Sequence, residues 1–436
     1  MKFIKDHVAE WRILLLVFAY VVVVGLVLQK IILPLTPWHV GQGLMAGGDW
    51  IEFQKVAVIH ATNISDKGWH EFDMRPEGHG PSGLAAFVYA MIGIVEPWAL
   101  LPVNGAIYAV AALGLYWIVL ALGASARAAL YALLPMLLMP SLAMVWGQLH
   151  KDVWSIAAVL MLLAFWARLF VGPVINCWAS LVILFFSNAS LWWMRPYTLQ
   201  MVLFGQTAML FVLAIASYKN KKMLPLLAGI ASIVITASFL DFKKGSEVST
   251  AESIPCVAWQ HAWHVPYVES ALIEIACTRS RLFEYSKAAT SNLDSEVVFH
   301  SPGDVLAYSP RAAQIGFFSP FPNMWFSEKA SYQSQFFRAV AAIETLVMYV
   351  ALLGVLLQFG LMFSMQSGGS REQFLATVAL LFFSLIWVEV YALTTGNIGS
   401  IYRVRFPMML LWIGMGVLAW QRVLGWLWLR EQRKNG

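Results

Sequence analysis

Long apolar segments recur along this chain and are separated by short polar loops. A helix needs about 20 apolar residues to cross a bilayer. Segments of about that length lie at 12–33, 100–122, 127–146, 152–171, 175–192, 197–217, 222–240, 336–364, 371–394 and 404–428. A further apolar stretch, near 83–95, is too short to span and predicts a re-entrant or interfacial helix. The pattern therefore predicts an all-α polytopic membrane protein with about ten transmembrane helices.

Composition agrees with a bilayer environment. Of the 436 residues, 60% are hydrophobic and 12% are charged, which excludes an ordinary soluble domain because so much apolar surface needs a nonaqueous solvent. The net charge is only +5, and the basic residues lie beside apolar segments rather than in a stripe with stacking aromatics. We therefore expect a lipid bilayer, and no nucleic acid, as a partner. The first apolar segment lacks a small-residue cleavage site, so we expect a retained membrane anchor rather than a signal peptide.

The Lys and Arg content of the loops alternates along the chain and predicts the orientation, because cytoplasmic loops hold these residues in excess. The rich ends carry Lys2, Lys5, Arg12, Arg127, Arg168, Lys219, Lys221, Lys222, Arg371, Arg422, Arg430, Arg433 and Lys434. The poor ends carry the loop 34–82 together with Lys151, Arg195, Arg403 and Arg405. We therefore expect both termini in the cytoplasm and the poor ends outside it.

Three regions follow from this layout. An N-terminal membrane module, 1–240, contains the first outer loop, 34–82; a polar extracytoplasmic insertion of mixed structure occupies 241–335; and membrane helices fill 336–436. The insertion contains a helix-like stretch from 268 to 283. It also contains Cys256 and Cys277, which outside the cytoplasm could form a disulfide or remain free.

The first outer loop holds the leading catalytic candidates. A helix beginning at Asp49 would put Asp49 and Glu52 on one side, with an apolar stripe of Trp50, Phe53 and Ala57 resting on the membrane surface. A carboxylate in this position can take a proton from an acceptor hydroxyl. The structural alternative is that Asp49 only caps the helix. Later in the loop, His79 is either a substrate contact or a solvated histidine.

Other polar candidates lie at the remaining outer ends. The turn containing His150, Lys151 and Asp152 is dense in titratable groups, which suggests an anionic partner, although capping by Asp152 and snorkelling by Lys151 are alternatives. Arg195, Arg403 and Arg405 follow in later loops. If the chain approaches the last helix in an extended conformation, Arg403 and Arg405 project to one side and could converge on one phosphate. Their alternative role is interfacial anchoring or pairing with outer carboxylates.

Several common site types have no motif in this chain. The sequence contains no phosphate-binding P-loop, dinucleotide-binding glycine fingerprint, zinc-type His-Glu-x-x-His or paired Cys-x-x-Cys. We expect no required cofactor. A divalent cation, Mg or Mn, could still bind Asp49, Glu52 or Asp152, since carboxylates suit these ions.

The residues around Asp49, the Gly80-Pro81-Ser82 turn, the His150-Lys151-Asp152 turn and Tyr402-Arg403-Val404-Arg405-Phe406-Pro407 resemble the GT-C superfamily of membrane glycosyltransferases. Membership would imply transfer of a sugar from a polyprenyl-(pyro)phosphate-linked donor to a glycan or glycolipid acceptor, on the outer face of a bacterial inner membrane. It would make Asp49 the general base and Arg403 or Arg405 the phosphate ligand, with the insertion shaping the acceptor side.

Three other functions share some of these features. A polysaccharide polymerase or ligase would use the same lipid-linked donor with a long chain as acceptor or donor. A transporter or flippase for a lipid-linked saccharide would also need outer arginines, but transporters usually place ionisable residues at mid-membrane. Here Glu344 and Glu389 are the clearest charges inside apolar segments. A noncatalytic scaffold of an export complex is the remaining alternative.

Overall fold

Apolar helices make up most of the computed structural model. It describes residues 8–172, 177–220, 223–244, 258–262, 265–285, 291–326, 332–363 and 370–435. Within those ranges the regular elements are helices, and strand-like pairing is limited to two isolated bridges. The protein is therefore an all-α polytopic membrane protein, and its apolar helices place it in a lipid bilayer.

The α-helices are labelled here in chain order. They are α1 (Val8–Val27), α2 (Trp50–Lys67), α3 (Gly80–Ile92), α4 (Leu101–Ala121), α5 (Ala126–Tyr131), α6 (Leu134–Leu138), α7 (Pro140–Gly147), α8 (Asp152–Val171), α9 (Cys177–Met194), α10 (Thr198–Asn220), α11 (Met223–Lys244), α12 (Pro266–Tyr285), α13 (Pro302–Phe318), α14 (Tyr332–Phe363), α15 (Arg371–Thr394), α16 (Ile398–Val404) and α17 (Phe406–Asn435).

Eight helices in the described residues are long and apolar enough to span a membrane. The predicted span 127–146 is instead a pair of helical segments bent by 70° between Leu138 and Pro140, so it counts as a ninth only if the pair is one span. The predicted span 175–192 is the shorter helix α9. The short stretch near 83–95 lies in α3, which is too short to cross. The number of ten spans stays a prediction.

The bend before α7 has a local cause. Pro140 lacks a backbone N–H and disfavours helical geometry in the residue before it. Met139 accordingly adopts an extended conformation, with φ −75° and ψ 116°, and a new helix starts at Pro140. The bend directs α7 toward the end of the bundle where Gly147 leads into the His150 turn.

Helix α8 forms the centre of the bundle. Of its most apolar 18-residue window, 89% is buried inside the protein, and it packs against α4, α9 and α15. A helix that is apolar on all sides is stable only when surrounded by other helices or lipid. This burial fixes the start of α8, and therefore Asp152, in the interior.

The first loop folds back as a helical pair, α2 and α3. Trp50, Phe53 and Ala57 are buried in a core between these helices, so the prediction that they rest on the membrane surface is wrong. The two helices approach closely enough that Ser82 Oγ donates to the carbonyl oxygen of Phe53 at 3.0 Å. The apolar stripe therefore builds a rigid support under Asp49.

The described part of the insertion is helical with irregular loops. The predicted stretch 268–283 lies within α12, and α13 packs against α15. Arg279 is 1% exposed and donates to the carbonyl oxygens of Val297 and Leu393 at 3.0 and 3.2 Å. Cys277 is disulfide-bonded, whereas Cys256 lies outside the described residues. These contacts hold the insertion on the end of α15.

The two ends of the bundle differ in their polar contacts. Arg422 Nη2 donates to the carbonyl oxygen of Leu122 at 2.7 Å, which joins the end of α4 to α17. Arg422 lies 16 residues beyond Phe406, or about 24 Å along the helix axis. Phe406 lines a cavity at the opposite end. We call these the basic end and the cavity end.

Candidate active site

The cavity end contains a cavity of about 450 Å³, within the usual range for small-molecule sites. Its walls come from the first loop, α7, the loop before α13, the start of α14 and α16. The lining residues used below are Gly48, Asp49, Ser141, His150, Ser291, Asn292, Phe337, Arg338, Ala341, Asn397, Tyr402, Arg403 and Phe406. Polar groups are thus gathered in a cavity that also has apolar walls.

Asp49 stands at the N-cap position of α2, but its side chain makes no capping hydrogen bond. Its Oδ2 instead accepts a hydrogen bond from Arg403 Nη1 at 3.2 Å. The ion pair is partly exposed, with side-chain exposures of 48% for Asp49 and 31% for Arg403. The carboxylate is therefore turned toward the cavity, which argues against a purely capping role.

Arg403 also contacts His150. Nη1 of Arg403 lies 3.1 Å from His150 Nε2, and because a guanidinium can only donate, Nε2 must be the acceptor. Burial, together with the charges of Arg403 and Arg195, lowers the pKa of His150 well below its ordinary value. The ring is therefore neutral, and its Nδ1 lies 3.2 Å from the backbone nitrogen and 3.0 Å from Oδ2 of Asp152.

Asp152 is held from its other side by Arg195. Arg195 Nη2 donates to Asp152 Oδ1, and both residues are buried. Arg195 Nη1 also lies 2.7 Å from the hydroxyl of Tyr197. Asp152, Arg195 and Arg403 line a second, very small void behind the main cavity. Asp152 and Arg195 thus support the site from behind and do not line the main cavity.

The net charge around Asp49 keeps it ionised. Partial burial acts to raise the pKa of Asp49, but the charges of Arg403 and Lys151 and the hydrogen bond from Arg403 outweigh it, so the pKa lies below its ordinary value. In this resting arrangement Asp49 is an anion paired with a cation. It becomes a stronger base when the charge of Arg403 is compensated by another anion.

Arg405 does not join Arg403. The residues before the last helix form the helix α16, so the extended approach predicted from the sequence is wrong. Arg405 Nη1 donates to the carbonyl oxygens of Gly316 and Phe317 at 2.9 and 3.1 Å, and the residue is 2% exposed. Its role here is to bind the C-terminal end of α13, and it does not line the cavity.

Three other predicted residues lie near the cavity but do not line it. Glu52 is exposed and pairs with Lys55 at 3.3 Å. His79 packs on the ring of Phe53 at 5.0 Å, and burial and the charge of Lys151 lower its pKa. Lys151 Nζ lies 5.9 Å from the centre of the same ring. These groups shape the surroundings of the site, and no contact brings Glu52 to Asp49.

The sequence analysis missed Arg338, which lines the cavity from the first turns of α14. The neighbouring rings of Phe336 and Phe337 pack on Trp38 at 5.0 and 5.6 Å, which fixes this helix start against the first loop. A signal was present: Arg338 is a basic residue at the start of an apolar segment on the Lys/Arg-poor side.

A buried carboxylate behind the cavity was noticed in the sequence without a role. Glu344 is 3% exposed; Oε1 accepts from the backbone N–H of Ser141 at 3.0 Å, and Oε2 accepts from the hydroxyl of Tyr402. Ser141 lies in the first turn of α7, where backbone N–H groups have no helical partner. Glu344 thus joins the broken helix to α16, and both its partners line the cavity.

Amide side chains form the opposite wall. Asn397 caps α16 through Oδ1, which accepts from the N–H of Ser400 at 3.1 Å, and its Nδ2 donates to Ser291 Oγ and Asn292 Oδ1 at 3.0 Å each. Leu293 N also donates to the carbonyl oxygen of Gly396 at 2.9 Å. A loop of the insertion therefore fixes the helix that carries Arg403.

The three carboxylates considered for a divalent cation do not converge. Asp49 faces Arg403, Glu52 pairs with Lys55, and Asp152 pairs with Arg195. No group of three or more His, Cys, Asp or Glu side chains suited to a metal occurs in the described part of the chain. Of these three carboxylates, only Asp49 could contribute a metal ligand to the cavity.

No known protein family matches the chain, and no curated protein or solved structure matches it either.

Disrupting the buried Asp152–Arg195 pair should destabilise the protein far more than disrupting an exposed pair. Removing one partner of a buried pair leaves an uncompensated charge and costs about 3–5 kcal/mol. Asp152→Asn should therefore lower the unfolding temperature of the detergent-purified protein markedly. Glu52→Gln, which breaks the exposed pair with Lys55, should cost less than about 1 kcal/mol. Equal unfolding temperatures for the two variants would contradict the assignment.

His150 predicts a pH dependence of stability. Because its folded pKa is well below the ordinary 6.5, the unfolded chain takes up a proton first on acidification, and folding stability falls as the pH drops below about 6.5. The unfolding temperature of His150→Gln should fall less than that of the wild type between about pH 7 and pH 5. His70→Gln, at an exposed position, is the control. An unchanged slope in His150→Gln would refute the argument.

Proposed function

We propose that the protein is a GT-C-type glycosyltransferase that transfers a sugar from a polyprenyl-phosphate-linked donor to a glycan or glycolipid acceptor. The observation that carries this proposal is the Asp49–Arg403 pair on the wall of the 450 Å³ cavity. It brings together a carboxylate that can act as a base and a guanidinium that can hold a phosphate. The resemblance of both sequence segments to that superfamily supports the same roles.

The walls of the cavity suit an amphiphilic donor. Arg403 offers a charge-assisted site for the phosphate. Phe337, Ala341 and Phe406 supply apolar surface, along which a polyprenyl chain would lie. Ser291, Asn292 and Asn397 supply hydroxyl and amide groups that suit sugar hydroxyls. The insertion, which carries Ser291 and Asn292, would shape the acceptor side.

The Asp49–Arg403 ion pair, which forms in the absence of a donor, suggests an order for donor binding and base activation. An incoming phosphate competes for Arg403 and compensates its charge, which releases Asp49 from the pair and raises its basicity. His150, neutral and fixed by Asp152, keeps Arg403 in position during this exchange. Donor binding would thus prepare the base, and Asp49 would remain a weak base while the donor site is empty.

The transfer step then requires one base and one leaving group. The acceptor hydroxyl passes its proton to Asp49 as its oxygen attacks the anomeric carbon. The bond from that carbon to the phosphate oxygen breaks, and its electron pair leaves with the lipid phosphate. In-line attack inverts the anomeric centre, and the protein contributes mainly orientation and electrostatic stabilisation. No cofactor enters this balance, although Mg or Mn could assist at Asp49.

The proposal includes the membrane in which the protein lies and its orientation there. The loop charges favour a bacterial inner membrane with cytoplasmic termini and the cavity end outside. The disulfide at Cys277 supports an oxidising compartment for the insertion.

Asp49→Asn tests the base. The substitution keeps the size of the side chain but removes proton acceptance, so transfer should fall by about 100-fold or more. The assay uses radiolabelled lipid-linked sugars extracted from host membranes and measures label moved to the acceptor fraction. Glu52→Gln is the matched control, three residues away and exposed, and should transfer at nearly the wild-type rate. Near-normal transfer by Asp49→Asn would remove Asp49 from the role.

Thiol labelling tests the orientation. Glu52→Cys places a thiol on an exposed position at the cavity end, and Arg127→Cys places one at the basic end. A membrane-impermeant maleimide applied to intact cells should label position 52, and position 127 only after permeabilisation. Labelling of both positions from the same side would show that the assigned topology is incorrect.

A further inference from the structure

Arg338 lies in the same cavity as Arg403 but has no part in the mechanism above. Phe337, Arg338 and Ala341 all line the cavity, a spacing that places them along one face of α14. Within the described residues Arg338 has no carboxylate partner at ion-pair distance. The cavity therefore contains a second guanidinium that no described side chain neutralises.

Glu344 on the same helix does not supply the missing counter-charge. It lies six residues beyond Arg338, about 9 Å along the helix axis. Its two oxygens are already occupied by the Ser141 N–H and the Tyr402 hydroxyl. The charge of Arg338 is thus left for a ligand.

The charges that face the cavity can be counted. Asp49, Arg338 and Arg403 are the charged side chains among its lining residues, and His150 is neutral, so one positive charge is in excess. Behind the wall, Asp152 and Arg195 compensate each other. Lys151 adds positive potential but faces the rings of Phe53 and Tyr197 rather than the cavity.

A sugar ester of a lipid monophosphate carries one negative charge, which balances this excess. During transfer Asp49 gains a proton and loses its charge, while the released phosphate gains a second negative charge. The two guanidiniums and the ionised phosphate therefore remain balanced after the reaction. A diphosphate donor would bring one further negative charge at every stage and leave it uncompensated, which is costly beside a bilayer.

We propose that the donor is a lipid monophosphate and that Arg338 binds the leaving phosphate, stabilising the second charge that develops as the glycosidic bond breaks. The inference rests on the proposed function, because it takes the cavity as the donor site. It adds a substrate class, monophosphate rather than diphosphate, and a second phosphate ligand. Interactions with charge that develops in the transition state accelerate the chemical step more than they strengthen substrate binding.

Lipid binding tests the inference without requiring the acceptor. The full-length protein in nanodiscs is titrated, at a pH about two units above the second phosphate pKa near 6, with farnesyl phosphate, its methyl ester and farnesyl diphosphate. In the Asp49→Asn variant, which lacks the charge of Asp49 as the protein does after proton transfer, the dianionic monophosphate should bind about tenfold tighter than the singly charged ester. The wild type should bind the diphosphate no tighter than the monophosphate.

Adding Arg338→Gln to Asp49→Asn should abolish the preference for the dianion over the ester and leave binding of the ester within about twofold. Adding Lys55→Gln instead removes an exposed cation outside the cavity and should keep the preference. With the labelled lipid-linked sugars, Arg338→Gln should lower kcat more than it raises KM. If Arg338→Gln does not fold, Arg338→Lys replaces it, with a reduced preference expected because a lysine cannot donate two parallel hydrogen bonds.

The outcomes separate the two proposals. Tighter wild-type binding of the diphosphate, or an unchanged preference for the dianion after Arg338→Gln is added to Asp49→Asn, would overturn the monophosphate inference and leave the glycosyltransferase proposal intact. An equal loss of affinity for all three lipids in a folded Arg338→Gln variant would overturn the inference as well. If the wild type binds none of the three, the donor site of the proposed function fails, and the inference fails with it.

Discussion

The compensation of charge at the edge of the bilayer is the constraint on which the site depends. Asp49 and Arg403 are 354 positions apart in the chain, yet they form an ion pair. His150 and Asp152 continue the contacts into the protein, and Arg195 ends them. Each of these charges would be costly if it were buried alone. Their mutual contacts therefore join the first loop, the start of α8 and α16 into one unit.

The helices that carry this unit are held by contacts that need no ligand. The all-round burial of α8 fixes Asp152, the core between α2 and α3 supports Asp49, and the Asn397 cap fixes the helix of Arg403. Glu344 binds the start of α7 to Tyr402. A preorganised frame of this kind lets binding energy be used for the reacting groups rather than for ordering the protein.

In the proposed function, the pairing of the base Asp49 with the phosphate ligand Arg403 links donor binding to the basicity of Asp49. While Arg403 pairs with Asp49, the pKa of Asp49 stays low, and the acid is a poor proton acceptor. An anionic ligand that takes over Arg403 changes both conditions together. Arg338 matters for the same reason. The charges of a cavity with two guanidiniums and one carboxylate are balanced only when it holds an anion.

Much of the fold could be predicted from the sequence, because apolar length and Lys/Arg bias act locally and each segment carries its own signal. The apolar segments, the short helix near 83–95, the helix at 268–283 and the start of α2 at Asp49 were all predicted on that basis. The alternation of Lys/Arg-rich and Lys/Arg-poor loops also predicted that Asp49, His150 and Arg403 lie at one end of the bundle. The structure places the three side chains in contact.

The tertiary structure alone decided which side chains meet. Local reasoning expected an extended chain before the last helix, but the Asn397 cap, held by the insertion, makes that segment helical and turns Arg405 toward α13. Local reasoning also predicted that Trp50 and Phe53 rest on the membrane surface, whereas α3 covers them. Arg338 entered the cavity because aromatic packing on Trp38 fixes the start of α14. Sequence periodicity determines which face of a helix is apolar; the neighbour that covers it depends on contacts between residues far apart in the chain, which no local pattern records.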